Sequence, residues 1–246
     1  MSRGRIVILP DVAAVAEAAA HQFVTAAQKA IAARGRFLVA LSGGSTPRAL
    51  HTRLAQSYRE QVEWPAVHVF WGDERCVPPD HPDSNYRMAQ ETLLADVPIP
   101  SGQVYRLRGE ADPPTAALEY EQTLRRVLGA DPLDLVFLGM GADMHTASLF
   151  PGTAAIHEQT LWVVAHHVPK LQSYRLTLTP AVLNLARQAA FLVVGADKAG
   201  PLAAVHTDDY RPDERPAQVI QPVNGELLWL VDRVAAGGLE IGDQRL

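Results

Sequence analysis

Phe37-Leu38-Val39-Ala40-Leu41-Ser42-Gly43-Gly44-Ser45-Thr46-Pro47 joins a short apolar run to a glycine turn and then to the start of a helix. Five consecutive apolar residues closed by a glycine pair predict a buried strand. Thr46 and Pro47 have the chemistry of an N-cap and a first helical position, opening a helix to about Ser57. Glycine lets the backbone approach a ligand closely, and a helix N-terminus offers unpaired N–H groups and a positive dipole end. Ser42, Ser45 and Thr46 add hydroxyls, so the Ser42–Thr46 turn suits a phosphate monoester. It is not a Walker A loop, because the Gly-Lys-Ser/Thr ending is missing.

The same alternation runs outward in both directions. Asp11 can cap an alanine-rich helix in which Val12, Val15, Ala19, Phe23, Ala27 and Ala30 recur at helical spacing up to Gly35. Val67–Trp71 predicts a second strand, Ser84 a helix cap for a segment to about Leu94, and Val104–Leu107 a short strand. Pro113–Leu128 has helical spacing, and Leu133–Leu138 is a strong strand ending at Gly139. Leu161–Val164 and Arg175–Leu178 are strand-like, and Thr179-Pro180 starts a helix to about Arg187. Phe191–Val194 predicts a buried strand ending at Gly195, followed by a helix from about Lys198. Val219-Ile220 is expected as a last short strand, and Asn224 as the cap of a final helix to Ala236. Strands alternating with helices predict an α/β fold: a doubly wound, mostly parallel, Rossmann-like sheet with helices on both faces.

With 246 residues and no spacer, residues 1–246 are expected to form one domain. The Asp208–Pro216 stretch is polar and Pro-containing, which predicts a surface loop rather than a linker. The net charge of −5 argues against a nucleic-acid partner. No apolar run is long enough to cross a bilayer, and MSRGRIVILPD turns polar too soon for a signal peptide. Cys76 is the only cysteine, so no internal disulfide can form. The cytoplasm is the expected location, and a monomer or small homo-oligomer the expected state.

Open α/β sheets bind ligands beyond the carboxyl ends of their strands. Four polar segments fall there: Ser42–Ser45, Gly72–Arg75, Gly139–His145 and Gly195–Lys198. In the third, His145 follows two glycines and Asp143, and a histidine in that place can move protons near neutral pH. Asp143 can orient it. Asp73, Glu74 and Arg75 form a charge cluster, in which Arg75 can hold an anion or stabilise an oxyanion. Arg175 and Lys198 lie beside apolar strands and could join the Ser42–Thr46 turn in a phosphate clamp. Adjacent residues in a strand face opposite ways, so His166 and His167 are poorly placed to share a metal. No metal-site spacing appears, and nothing pairs Cys76 with His145.

Taken together, Leu41–Pro47, Trp71–Pro78, Ser84-Asn85-Tyr86, Gly139-Met140-Gly141, His145–Pro151, Arg175–Thr179 and Trp229–Asp232 with Ala235-Ala236 resemble the 6-phosphogluconolactonase family. The matches run in order from about residue 10 to 236. The resemblance implies hydrolysis of 6-phospho-D-glucono-1,5-lactone to 6-phosphogluconate, in the oxidative pentose phosphate pathway, without metal or organic cofactor. It implies that His145 is the catalytic histidine and that Arg75 lies near the lactone, with Asp73 also in the site. It further implies that Ser42, Gly43, Gly44, Ser45, Thr46, Arg175 and Lys198 hold the phosphate or line the pocket. The family usually has Asp-Gly-His where this chain has Asp143-Met144-His145. Because methionine is strained in a left-handed conformation, the backbone there is expected in an ordinary region or the loop is expected to be displaced. The related glucosamine-6-phosphate deaminases share the glycine turn. Their loop ends in Asn-Glu-Pro, where Leu149-Phe150-Pro151 stands here, and they favour Asp-Glu-Tyr over Asp73-Glu74-Arg75. A non-catalytic sugar-phosphate sensor is the third possibility.

Overall fold

The computed structural model describes residues 3–207 and 209–239. The ends of the expected 1–246 domain, Met1 and Ser2 among them, and Asp208 at the head of the expected loop lie outside the described residues. Six strands form a wholly parallel sheet: β1 (Arg5–Leu9), β2 (Phe37–Leu41), β3 (Val67–Trp71), β5 (Leu135–Gly139), β8 (Gln188–Val193) and β9 (Glu226–Asp232), in the order β1-β9-β8-β5-β2-β3. Three more strands, β4 (Asp73–Arg75), β6 (Val163–Val168) and β7 (Ser173–Leu178), form a small antiparallel sheet in the order β4-β7-β6. From β2 the chain passes to β3 on one side, while β5 is followed by β8 and β9 on the other. The winding reverses between β2 and β5, which is where such sheets open a crevice.

The helices follow the sequence signals closely where those signals are chemical. Asp11 caps α1 (Val12–Arg34) by accepting from the Ala14 N–H, and Gly35 ends it with φ 71°. Asp112 caps α4 (Pro113–Leu128) by accepting from Thr115. Ser84 caps α3 (Asn85–Ala89), which runs on as a π-helical turn, Gln90–Leu94. The helix α2 (Ser45–Ser57) starts two residues earlier than expected, with Gly44 rather than Thr46 as its cap. Strand β2 is buried along its whole length, as its unbroken apolar run requires of a central strand.

Four expectations are corrected. The predicted final helix from Asn224 to Ala236 is strand β9, followed by a 3-10 turn, Ala235–Gly238. Its apolar run Leu227–Val231 lies between two neighbours, and an interior strand loses the alternation that separates strand from helix. Val219-Ile220 is no strand: Pro216–Val219 is a 3-10 turn. Val104–Leu107 contributes only a bridge between Val104 and Val69. The helix predicted to Arg187 is a single turn, α5 (Pro180–Leu183), because the Asn184 side chain redirects the chain, donating to Val219 O and accepting from Gln221 N. Two strands were missed altogether: β1, at the sheet edge with two exposed positions in five, and β4, whose charged residues Asp73–Arg75 read as a polar segment after β3. The last helix, α6 (Ala199–Val205), begins where expected.

Helix α1 packs on α2 and against the strands of the large sheet, and α4 packs on β6 and β7. The Tyr120 hydroxyl of α4 accepts from the Trp71 N–H at 2.9 Å, donates to the Trp71 carbonyl at 3.3 Å, and ties the helix to the end of β3. Among the described residues no helix is long and apolar enough to cross a membrane.

His51 of α2 is fully buried, its Nδ1 3.4 Å from the Thr92 hydroxyl and its Nε2 without a partner. Burial, helped by Arg48, pushes its pKa down to about 3. The unfolded chain therefore takes up a proton near pH 6.5 that the native state refuses. The stabilisation is present above the unfolded value and is lost as pH falls toward the folded one. Urea unfolding between pH 7 and pH 4 should show a midpoint that drops with pH, and His51→Gln should flatten that dependence.

Candidate active site

A cleft of about 280 Å³ opens at the carboxyl ends of β2, β5 and β8, with β4 of the small sheet forming one wall. Roomier hollows near Gln28 and near Leu133 lie elsewhere and lack a comparable convergence of polar groups. Ser42, Gly43, Gly44, Ser45, Thr46, Asp73, Arg75, His145 and Lys198 all line the cleft, so nine of the residues expected from sequence meet in one place. Asp143 lies behind His145 rather than in the wall. Arg175 is outside the lining: it pairs across the sheet with Arg75, and its guanidinium donates to Ser173 Oγ at 2.7 Å and to the Tyr174 carbonyl at 3.0 Å.

The glycine turn is shaped by contact as well as by conformation. Gly44 has φ 108°, in the region that favours glycine, and no side chain caps α2 behind it. A Cβ at Gly43 would sit 1.8 Å from Asn85 Oδ1, so the turn and Asn85 touch directly. Ser42 Oγ is buried, lines the cleft and has no hydrogen-bond partner. An unpaired buried hydroxyl beside an uncapped helix start is suited to an oxyanion ligand. Lys198 adds a cation, held 2.9 Å from Asp197 at the turn after β8. Asp232, at the end of β9, holds that turn by accepting from the Gly195 N–H at 3.1 Å.

The charge cluster on β4 divides its work. Glu74 is buried and structural: its carboxylate accepts from the backbone of Arg75, Asn85 and Tyr86 and from the Ser84 hydroxyl. Burial raises its pKa and those backbone donors oppose the rise. Asp73 faces the cleft, accepts from Ser148 Oγ at 2.6 Å, and has its backbone carbonyl held by Asn85. Arg75 lines the cleft while one guanidinium nitrogen donates to the Asp83 carbonyl at 2.5 Å. Cys76 is not in the lining, and burial raises its thiol pKa, the opposite of what a nucleophilic thiolate needs.

His145 is set by the loop after β5. Its Nδ1 is 2.5 Å from Asp143 Oδ1. A carboxylate only accepts, so Nδ1 carries a proton, and in a neutral ring the lone pair falls on Nε2; the ring lines the cleft. The imidazole stacks on Phe150, centroids 4.1 Å apart and planes 19° from parallel. A Cβ at Gly141 would come within 2.1 Å of His145 Nδ1 and 2.6 Å of Asp143 Oδ1, so the pair folds down onto a glycine. The Asp143 carboxyl is held far below the usual range by the His145 hydrogen bond and by Lys170, whose Nζ lies 2.6 Å from Oδ2.

Met144 does not adopt an ordinary conformation. It takes the left-handed region, φ 62°, and Ala147 follows at φ 47°. Neighbours enforce this: the Met144 N–H donates to Gly141 O at 2.9 Å, and Met144 O accepts from Ala217 N at 3.0 Å. His166 holds the far end of the loop, its Nε2 2.7 Å from the Ser148 carbonyl, while His167 turns out against Tyr174. Among the described residues no group of three or more His, Cys, Asp or Glu side chains is placed to hold a metal.

Sequence reasoning missed three residues that shape the site. Asn85 and Ser148 stand inside motifs noticed for other reasons, and one sequence does not show that they reach Asp73 across the fold. Lys170 sits in a turn between two strands and carries no local signal at all.

The chain matches a family model described as glucosamine-6-phosphate isomerases/6-phosphogluconolactonase over residues 10–229. It is 39% identical over 240 residues to a 6-phosphogluconolactonase of Nostoc sp., covering 95% of this chain and 98% of that one. A 6-phosphogluconolactonase of Synechocystis sp. is 42% identical over 217 residues, covering 86% and 88%. Among solved structures, 6-phosphogluconolactonase from Trypanosoma cruzi superposes with a TM-score of 0.86 at 28% identity, covering 98% and 99%.

The backbone at residue 144 makes a stability test. Met144→Gly should change unfolding free energy by less than about 1 kcal/mol, because relief of left-handed strain and the flexibility of glycine offset. Met144→Val should cost about 1 kcal/mol or more, since a branched Cβ suits that region worst. Urea denaturation of the two variants checks this, and equal stabilities would mean that residue 144 is not left-handed.

Proposed function

The chain belongs to the family of glucosamine-6-phosphate isomerases and 6-phosphogluconolactonases, and we propose that it acts as a 6-phosphogluconolactonase, hydrolysing 6-phospho-D-glucono-1,5-lactone to 6-phosphogluconate. Curated relatives at about 40% identity carry that name over most of their length. The observation that carries the reading is the His145–Phe150 stack. The position where the deaminase pattern has a proton-transferring glutamate is filled here by a ring that packs flat on the histidine. Phe150 cannot move a proton, whereas it can fix the plane of a base.

The substrate phosphate sits at the Ser42–Thr46 turn, accepting from the Ser42 hydroxyl and the first N–H groups of α2 and pairing with Lys198. Anchoring the phosphate places the lactone ring against the loop after β5 and lowers the entropic cost of attack. His145 Nε2 takes a proton from a water molecule as that water adds to the C1 carbonyl. Asp143 stabilises the imidazolium that forms. Arg75, which lines the same wall, stabilises the oxyanion. As the tetrahedral centre collapses, the C1–ring oxygen bond breaks and His145 returns its proton to the leaving oxygen. The product is the open-chain acid. The lactone is already activated, so no covalent intermediate is required. Asp73 and Asn85, tied to each other and to Ser148, present a fixed polar edge to the sugar hydroxyls. The cytoplasm remains the proposed location, supported by the single cysteine.

A parallel assay of freshly made 6-phosphogluconolactone and glucosamine 6-phosphate, with spontaneous lactone opening subtracted, tests the reaction. Turnover of the first alone is expected, and ammonia release from the second would overturn the reading. His145→Ala should lower kcat by about two to four orders of magnitude. Lys198→Ala should raise KM about ten-fold or more, the worth of a charge-assisted hydrogen bond. Arg175→Ala should have the smaller effect, because its guanidinium is already engaged with Ser173 and Tyr174.

A further inference from the structure

Three features of the region behind His145 stand outside the mechanism just described. Lys170 Nζ lies 2.6 Å from Asp143 Oδ2, on the carboxylate oxygen that His145 does not use. It comes from a short turn, Pro169–Leu171, between β6 and β7, and so from the small sheet rather than from the histidine's own loop. The turn is closed by the Gln172 N–H donating to Pro169 O, with Gln172 left-handed at φ 47°, which gives the lysine a fixed base. Lys170 is not in the cleft lining, and its side chain is 66% exposed. An exposed ion pair contributes little to folding stability.

We propose that Lys170 is a positioning residue for the catalytic pair: it holds the Asp143 carboxylate in the plane that receives His145 Nδ1–H and compensates its charge. This rests on the reading of His145 as the base. An isolated carboxylate against an imidazole favours the imidazolium, which has no lone pair to accept a proton from water. A cation on the far carboxylate oxygen offsets that attraction while leaving the hydrogen bond, and its aim, in place. The geometry divides the two tasks between the two oxygens: Oδ1 takes the histidine and Oδ2 takes the lysine. The depressed pKa of Asp143 is in keeping with both contacts. The other charged or titratable groups round the loop and cleft are Asp73 and Arg75 on β4, His166 on β6, Arg175 on β7 and Lys198 after β8. Of these, none has a hydrogen bond to Asp143 among the described residues, so Lys170 is the group whose removal leaves that carboxylate uncompensated.

Lys170→Met keeps the stem and removes the charge, and Lys170→Arg keeps both a donor and a charge. The His145 ring titration, followed by NMR and assigned by its loss in His145→Gln, needs no turnover. It should move up by about half a pH unit in Lys170→Met, the size expected for one partly screened charge, and should stay near wild type in Lys170→Arg. In the lactone assay the acid limb of kcat should move up with it, and kcat should fall about three-fold with KM within about two-fold, the pattern of a group that acts through the base. An unchanged His145 titration and acid limb in Lys170→Met would reduce Lys170 to a surface ion pair and overturn the proposal. A wild-type protein that fails to open the lactone would sink the functional reading instead, while the NMR titration would still decide whether Lys170 tunes His145.

Discussion

The imidazole of His145 lies so close to Gly141 that one added carbon would touch its Nδ1 at 2.1 Å, and the chemistry of the site depends on that approach. It brings the ring down onto the backbone, puts Asp143 edge-on to Nδ1, and leaves Phe150 to cover one face. A loop that folds back so tightly needs backbone in the left-handed region, and here two residues with side chains, Met144 and Ala147, accept it. Such strain persists only where the surroundings over-determine it. Ala217 from the segment after α6, His166 from β6 and Thr177 from β7 each hold a backbone group of the loop. The histidine is therefore aimed by three distant parts of the chain as much as by its own loop.

The opposite wall is built on a buried anion. Glu74 gathers the first N–H groups of α3 and the backbone of β4, which places Asn85 against both Asp73 and the glycine turn. Gly43 can only be glycine if Asn85 is to stand there. The glycine turn is thus joined to the β4 wall by a contact too short to admit even a methyl group, and the His145 loop is joined to that wall by the Ser148–Asp73 hydrogen bond. That coupling explains how a crevice between β2 and β5, common to doubly wound sheets, becomes a cleft with fixed polar walls.

Much of this was legible from the chain alone, and the exceptions have physical causes. The run Phe37–Leu41 with its glycine turn marked β2 and the start of α2, because both the burial and the turn chemistry are local. Ser42–Thr46, Asp73, Arg75, His145 and Lys198 were found by their place after apolar strands, and all line the cleft. Strand β9 was mistaken for a helix because a doubly flanked strand is apolar on both faces, and β1 was passed over although Ile6–Leu9 is an apolar run of four, because so short a run does not by itself separate strand from other structure. Arg175 is the register partner of Arg75 yet stays out of the cleft lining, its guanidinium donating to Ser173 and Tyr174, a rotamer choice that no spacing encodes. Lys170 and Asn85 reach their partners across 27 and 12 residues, and pairing of that kind belongs to the tertiary structure. Met144 was expected to avoid the left-handed region, and the structure places it there at φ 62°, because hydrogen bonds from neighbouring backbone outweigh a local preference.

The central claim is an orientation: phosphate at the start of α2 and the reacting carbon at His145. A crystal structure with 6-phosphogluconate bound tests it most directly. The account predicts phosphate oxygens on the Ser42 hydroxyl and the Ser45 and Thr46 N–H groups, with the C1 carboxylate within hydrogen-bond reach of His145 Nε2. A phosphate bound against His145, with the carboxylate at the glycine turn, would contradict it.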